Sequence, residues 1–257
     1  MTALPASVTE LQRGDTTFFL VGTAHVSQAS VDEVRSVIAS VAPDAVGVEL
    51  CPTRLAAIKL GKPMSAGDAR ELLREGKTLY LVAQLTLAAY QRRIGKRLGV
   101  RPGAEMIAAI EAARAANIEL AVIDRDIDVT LRRAWSSLSA PKRAMLGASL
   151  VIGLARAMPV TADTVESLKD PKAREELMAE LARALPELKA AVIDERDQYM
   201  VSRLRELAAA GRKRIVAVVG AAHVPGITAQ LDAAIDRTRL EVAPPRSLTA
   251  RALMRVV

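Results

Sequence analysis

The sequence predicts an α/β protein: a central, mostly parallel β-sheet with flanking helices and a large helical insertion at about 130–210. Three observations lead there. Short apolar runs alternate with stretches of helical periodicity through the first 60 residues. A long, almost wholly helical middle follows, broken near Pro141, Pro159, Pro171 and Pro186. A last apolar run, Arg214–Val219, then ends in the same local pattern as the first, so the two must pair for one sheet to close.

Each element has a local reason. Thr16–Val21 is apolar, β-branched and aromatic, which suits a buried strand. Ser30 is a plausible N-cap for a helix carrying Val31, Val34, Val37, Ile38 and Val41 on one face. Pro43-Asp44 stops it, Ala45–Leu50 is the next strand, and Pro52 opens a helix with Leu55, Ile58 and Leu60. Leu79–Leu98 is helical with cations toward its end, and Ala104–Ala116 is a further helix after Pro102-Gly103. Ile118–Ile123 is a third strand and Arg214–Val219 a fourth. A helix is expected from about Thr228 to Ile235, with Glu241-Val242 as a short edge strand. All 257 residues are read as a single domain, with 130–210 as its insertion or lid.

Composition narrows the function classes. With 51% hydrophobic and 25% charged residues the chain is globular, and with 2% aromatics its core must be aliphatic. A single cysteine, Cys51, permits no intramolecular disulfide, and its place beside Pro52 reads as a buried structural thiol. No signal peptide is visible, and no run approaches the roughly 20 apolar residues of a bilayer span. The longest candidate, 146–158, is interrupted by Arg156. The net charge of +7 comes from clusters such as 91–97 and 212–214. No nucleic-acid motif accompanies them, and stacking platforms are scarce, so nucleic acid is not expected as a partner.

The functional signal lies where strands end. In an open parallel sheet, ligands bind beyond the carboxyl ends of the strands. The first strand is followed by Gly22-Thr23-Ala24-His25 and the fourth by Gly220-Ala221-Ala222-His223, and these are the only two histidines. Gly22 and Gly220 are expected to let the chain turn tightly so that each histidine faces the sheet edge. The second strand ends at Glu49, with Arg54 in the next turn, and the third ends at Asp124-Arg125-Asp126. Two imidazoles and a carboxylate suit a divalent metal, which polarises carbonyls and lowers the pKa of water. Glu49 is poorly explained as a surface residue at the end of an apolar strand. Arg54 and Arg125 either bind a substrate carboxylate or oxyanion, or neutralise neighbouring acids. Glu105 stands in the first turn of a helix, where the dipole alone favours an acid. Asp194-Glu195-Arg196-Asp197 is a dense charged cluster of the kind usually found on a solvated helix face.

These segments resemble the TraB/PrgY family, relatives of the GumN and Tiki proteins. The resemblance runs through GTAHVS (22–27), VELCPTR (48–54), YQRRIGKRLGVRPGAEM (90–106), IDRDIDVTLRRAW (123–135), DERD (194–197) and VVGAAHVPGI (218–227). It covers nearly the whole chain in order and implies a fold related to the erythromycin-esterase and ChaN-like proteins. Tiki proteins are metal-dependent peptidases with paired GxxH motifs, and PrgY-type members shut down a secreted peptide pheromone. The resemblance thus implies His25, Glu49 and His223 as metal ligands, with manganese, cobalt or zinc as the ion. It also implies Glu105, Asp124, Arg125, Glu195 and Arg196 as members of the site.

The expected activity is therefore metal-dependent hydrolysis, with a peptide as substrate. Glu105 or Glu195 would move the proton, and Arg54, Arg125 or Arg196 would steady the oxyanion or substrate. The alternative is a regulator that sequesters a peptide in the same pocket without cutting it. A metal- or tetrapyrrole-binding role is a third. PrgY-type relatives continue into C-terminal membrane helices that do not follow here, so a cytoplasmic or a membrane-associated location is expected. Family habit points to a homodimer.

Overall fold

The computed structural model describes residues 4–23, 28–60, 103–146 and 182–244, with single positions at 70, 74, 148, 176, 179 and 180. His25, the Leu79–Leu98 helix, the 146–158 apolar run apart from Leu146 and position 148, and the basic stretch 91–97 lie outside them. Among the described residues five strands form one sheet: β1 (Val8–Arg13), β2 (Thr16–Thr23), β3 (Ala45–Val48), β4 (Glu119–Val122) and β5 (Arg214–Gly220). Their spatial order is β1-β2-β5-β3-β4. β1 and β2 form an antiparallel hairpin, and every other pairing is parallel. β5 thus pairs with β2 from Thr17↔Arg214 to Thr23↔Gly220, closing the first apolar run onto the last.

Period-two alternation decides what each face covers. Phe19 and Val21 of β2 and Val216 and Val218 of β5 face one side. There they meet Val34, Val37, Ile38 and Val41 of α1 (Gln28–Val41) and Met106, Ala109, Ile110 and Ala113 of α3 (Ala104–Ala115). α2 (Pro52–Leu60) adds Leu55 and Ile58 at the margin of this layer. The intervening residues Phe18, Leu20, Ile215, Ala217 and Val219 face the opposite side. They meet Met200, Val201, Leu204 and Leu207 of α6 (Glu195–Ala209) and Ile227 of α7 (Val224–Gln230). Residues 195–209 of the expected insertion are therefore a covering layer of the sheet itself. Gly47 makes that contact close: a Cβ there would stand 3.0 Å from Ile123 Cγ2 and 3.5 Å from Leu204 Cδ2. Each fully buried Leu or Ile in this layer stabilises the fold by about 1.5–3 kcal/mol.

Four local expectations are corrected. α1 begins at Gln28, so Ser30 lies within its first turn and is not its N-cap. β1 was not anticipated, because VTELQR has a half-exposed edge-strand pattern with little apolar content. Glu241 closes a helix, α8 (Arg237–Glu241), instead of opening an edge strand, because Asp236 caps it by accepting from Thr238 N at 3.1 Å. α7 begins at Val224, with Pro225 in its first turn, four residues before Thr228. Between β4 and α6 lie α4 (Ile127–Ser137), α5 (Pro186–Lys189) and a π-helical turn, Ala190–Asp194.

This topology makes a crevice. The chain leaves β2 toward α1 on one face and leaves adjacent β5 toward α7 on the other. Ligand sites of parallel sheets form where neighbouring strands diverge in this way. α3 runs antiparallel to the strands, since its end leads straight into β4, so its first turn lies at the same carboxyl edge.

Candidate functional site

Glu49 follows β3 directly and is held by the backbone on both sides. Its N–H donates to Val218 O at 3.0 Å, and its Oε2 accepts from Gly220 N–H at 2.6 Å. The carboxylate is thus pinned against the end of β5, only 7% exposed. Its Oε1 faces His223 Nε2 at 3.4 Å and accepts from Arg196 Nη2. His223 stands at the N-terminal boundary of α7 and is itself 4% exposed, with its Nδ1 2.6 Å from Asp197 Oδ1. Asp124, just after β4, takes Arg196 Nε at 3.0 Å and Nη2 at 2.8 Å, and accepts from Arg125 N–H at 2.8 Å. Strand ends and α6 therefore build one buried chain of ionisable groups: Asp197, His223, Glu49, Arg196 and Asp124.

Its electrostatics follow from counting. Among the described residues three carboxylates face one guanidinium and the imidazole, so with all three ionised the cluster carries two negative charges in excess when His223 is neutral and one when it is protonated. Burial opposes a charge on His223, but Asp197 and Glu49 outweigh it and raise its pKa to about 9. Burial likewise pushes the Asp197 carboxyl up, against the pull of His223 and Arg196. With a carboxylate on each ring nitrogen, His223 is the partner that holds the proton. Arg196 is also desolvated, yet Asp124 and Glu49 hold its pKa above the ordinary value.

A second network stands beside the first. Arg125 is 1% exposed and donates to Glu195 Oε2 at 2.8 Å, Thr130 Oγ1 at 3.0 Å, and the carbonyls of Ala191 at 2.9 Å and Leu240 at 3.2 Å. Arg133 grips the same Glu195 through Nε at 2.6 Å and Nη2 at 2.8 Å. Burial works against the Glu195 charge, but the bonds from Arg133 and Arg125 prevail and hold its carboxyl below the usual range. Arg125 thus neutralises an acid and ties α4, the π turn and α8 together. Glu195, clamped by two guanidinium groups, has the environment of a brace and not of a proton donor.

The other residues singled out by sequence are placed as follows. Glu105 is 1% exposed in the first turn of α3, at the carboxyl edge. Arg54 is half-buried in the first turn of α2. Cys51 is fully buried. Gly22 and Gly220 both lie within strands, paired with Val219 and Thr23, and neither takes the left-handed backbone. Their roles are close approach and donation instead: a Cβ on Gly22 would stand 3.1 Å from Val224 Cγ2, and Gly220 N–H holds Glu49. Asp197 was missed, although the signal was present. It falls on the same stripe as Met200, Val201 and Leu204, so an acid there had to be buried and partnered.

The sequence model of the TraB/PrgY/gumN family matches residues 7–234. The chain belongs to the TraB/PrgY/gumN family. It is 35% identical over 214 residues to protein MJ1365 of Methanocaldococcus jannaschii, described as uncharacterized. That match covers 83% of this chain and 53% of the archaeal protein, so the chain spans about half that relative's length. It is 33% identical over 279 residues to a TraB domain-containing protein of Bos taurus and 32% identical to one of Mus musculus. Each match takes in 96% of this chain, with 71% of the bovine and 72% of the mouse protein. Among the described residues of the present chain, no helix is long and apolar enough to cross a membrane. Among them also, no three ligand side chains stand together in a metal-ready group.

Proposed function

We propose that this chain is a metal-dependent hydrolase of peptides, with His25, Glu49 and His223 as the residues that would hold the ion. The observation that carries the reading is the convergence of His223 Nε2 and Glu49 Oε1 to 3.4 Å, with His223 Nδ1 taken by Asp197. Two donor atoms each roughly 2.0–2.2 Å from one tetrahedral ion stand about 3.4 Å apart. A ligating histidine commonly gives its other nitrogen to a carboxylate. The negative excess of the cluster, two charges once His223 gives up its proton, also suits a divalent cation. His25, beyond the end of β2, supplies the third donor in this reading.

A divalent ion bound there supplies a Lewis acid for a substrate carbonyl and favours the deprotonated form of water. The chain's own residues do the rest. Gly220 N–H and Arg196 fix the Glu49 carboxylate, and Asp124 fixes Arg196. Arg196 presents positive charge beside the reacting group, where it stabilises a developing oxyanion. Glu105, buried at the same edge, is the acid positioned to move a proton, and Arg54 is suited to a substrate carboxylate.

One observation favours a second reading, a module that binds a peptide without cutting it. Glu195, an acid that the chemistry would draw on, is committed to Arg125 and Arg133. A peptide library incubated with the manganese-, cobalt- or zinc-loaded protein separates the two. Cleavage followed by mass spectrometry and abolished in His223→Ala is the expected result. Tight binding of peptides that stay intact with every metal would overturn the hydrolase.

A further inference from the structure

Gly226 in α7 is more than a helix residue. A Cβ built there would fall 2.7 Å from Asp197 Cγ, closer still to Oδ2, and 3.3 Å from Asp197 Cβ. Gly226 is the third residue of α7, in its first turn, and the packing around it explains the missing side chain. The Asp197 carboxyl occupies the space that any side chain at 226 would fill, on the turn just after His223.

Three facts meet at this point. Asp197 is 1% exposed on the apolar stripe of α6, where an acid is costly unless it is partnered. Its Oδ1 lies 2.6 Å from His223 Nδ1, while Nε2 lies 3.4 Å from Glu49. The shorter contact is the tighter tie and fixes the plane of the ring, leaving the Nε2 side directed at Glu49. From this we infer that Asp197 is the positioning residue for His223, and that Gly226 is the notch that admits its carboxyl. The inference deepens the proposed site without depending on metal, since it concerns how the imidazole is held in the metal-free chain.

Gly226→Ala tests it most cleanly, because every polar group is kept. The crowded atom is the end of a flexible side chain, so the carboxyl can rotate away and the fold can persist. What must be lost is the bond to His223. Because the chain holds two histidines, the imidazole protons can be assigned by NMR on metal-free, ¹⁵N-histidine-labelled protein, with His25→Ala and His223→Ala as controls. In the wild type, His223 Nδ1–H gives a downfield, slowly exchanging resonance. That resonance disappears in Asp197→Ala and Gly226→Ala but survives, shifted upfield, in Asp197→Asn, which keeps an acceptor oxygen. An unchanged resonance in Gly226→Ala and Asp197→Ala overturns the inference, as does its absence from the folded wild type. Should Asp197→Ala not fold, Gly226→Ala and Asp197→Asn still decide. A metal titration of the same proteins keeps the two ideas apart. NMR as expected with no metal bound defeats the metal site alone, whereas metal bound by a protein whose His223 resonance is unchanged in Asp197→Ala and Gly226→Ala defeats the positioning role alone.

Discussion

Two buried arginines stand on neighbouring elements of this protein, and they are set to opposite tasks. Arg125 donates mainly to neutral groups, the carbonyls of Ala191 and Leu240 and the Thr130 hydroxyl, and shares Glu195 with Arg133. Burial lowers its pKa, the signature of a cation surrounded by polar but mostly uncharged partners. Arg196 is desolvated too, yet Glu49 and Asp124 raise its pKa, because it sits in an excess of negative charge. The first network sets two guanidinium groups on one carboxylate, and backbone carbonyls and the Thr130 hydroxyl take up its one positive charge in excess, so it is mechanical. The second keeps a negative excess among the described residues, and negative charge left over at a buried site is what a cation, a proton or a developing charge responds to. Guanidinium burial alone does not mark a functional residue; the charge left over around it does.

Substitution should separate the two networks, and the largest effect belongs to the brace. Arg125→Met removes four buried hydrogen bonds and leaves carbonyls without a donor, so chemical denaturation should show a loss of about 3–5 kcal/mol. Added divalent cations should not restore it. Arg196→Met should lose less, about 2–3 kcal/mol, because Glu49 and Asp124 keep their backbone donors, Gly220 N–H and Arg125 N–H, once the guanidinium is gone. Here divalent cations should restore part of the midpoint. Equal cation rescue of both variants would erase the contrast.

A smaller effect reports on the brace through pH. The Glu195 carboxyl is held below its ordinary value of 4.5 in the folded chain. Its contribution is therefore complete above that value and fades as pH falls through the lower, folded value. In Glu195→Gln the acid limb of a stability–pH curve should be shallower below about pH 4.5, while stability near neutrality is reduced. Parallel acid limbs for wild type and variant would show that the two arginines do not hold this carboxylate.

Much of this was readable from residues alone. Four strands announced themselves as β-branched apolar runs, and the Val31–Val41 stripe specified which face of α1 is buried. Glu49 could be singled out because an acid at the end of an apolar strand has no bland explanation. Strand order was not readable: no local signal says that β5 enters between β2 and β3, which brings Gly220 N–H onto Glu49. The separate fates of Glu195, Arg196 and Asp197 were also hidden. Consecutive helix residues point about 100° apart, so adjacent letters enter different networks. The π turn before them adds a shift that no periodicity count foresees. Gly226 was invisible for a related reason, since its meaning lies in a side chain 29 positions earlier.

The most direct test of the central claim, one shared ion at the carboxyl edge of the sheet, is calorimetric metal binding at pH 7 with manganese, cobalt and zinc. One divalent ion per chain should bind, and His25→Ala, Glu49→Gln and His223→Ala should each weaken binding at least a hundredfold, whereas Arg133→Gln in the brace should not. Binding of undiminished affinity in both His25→Ala and His223→Ala would contradict it.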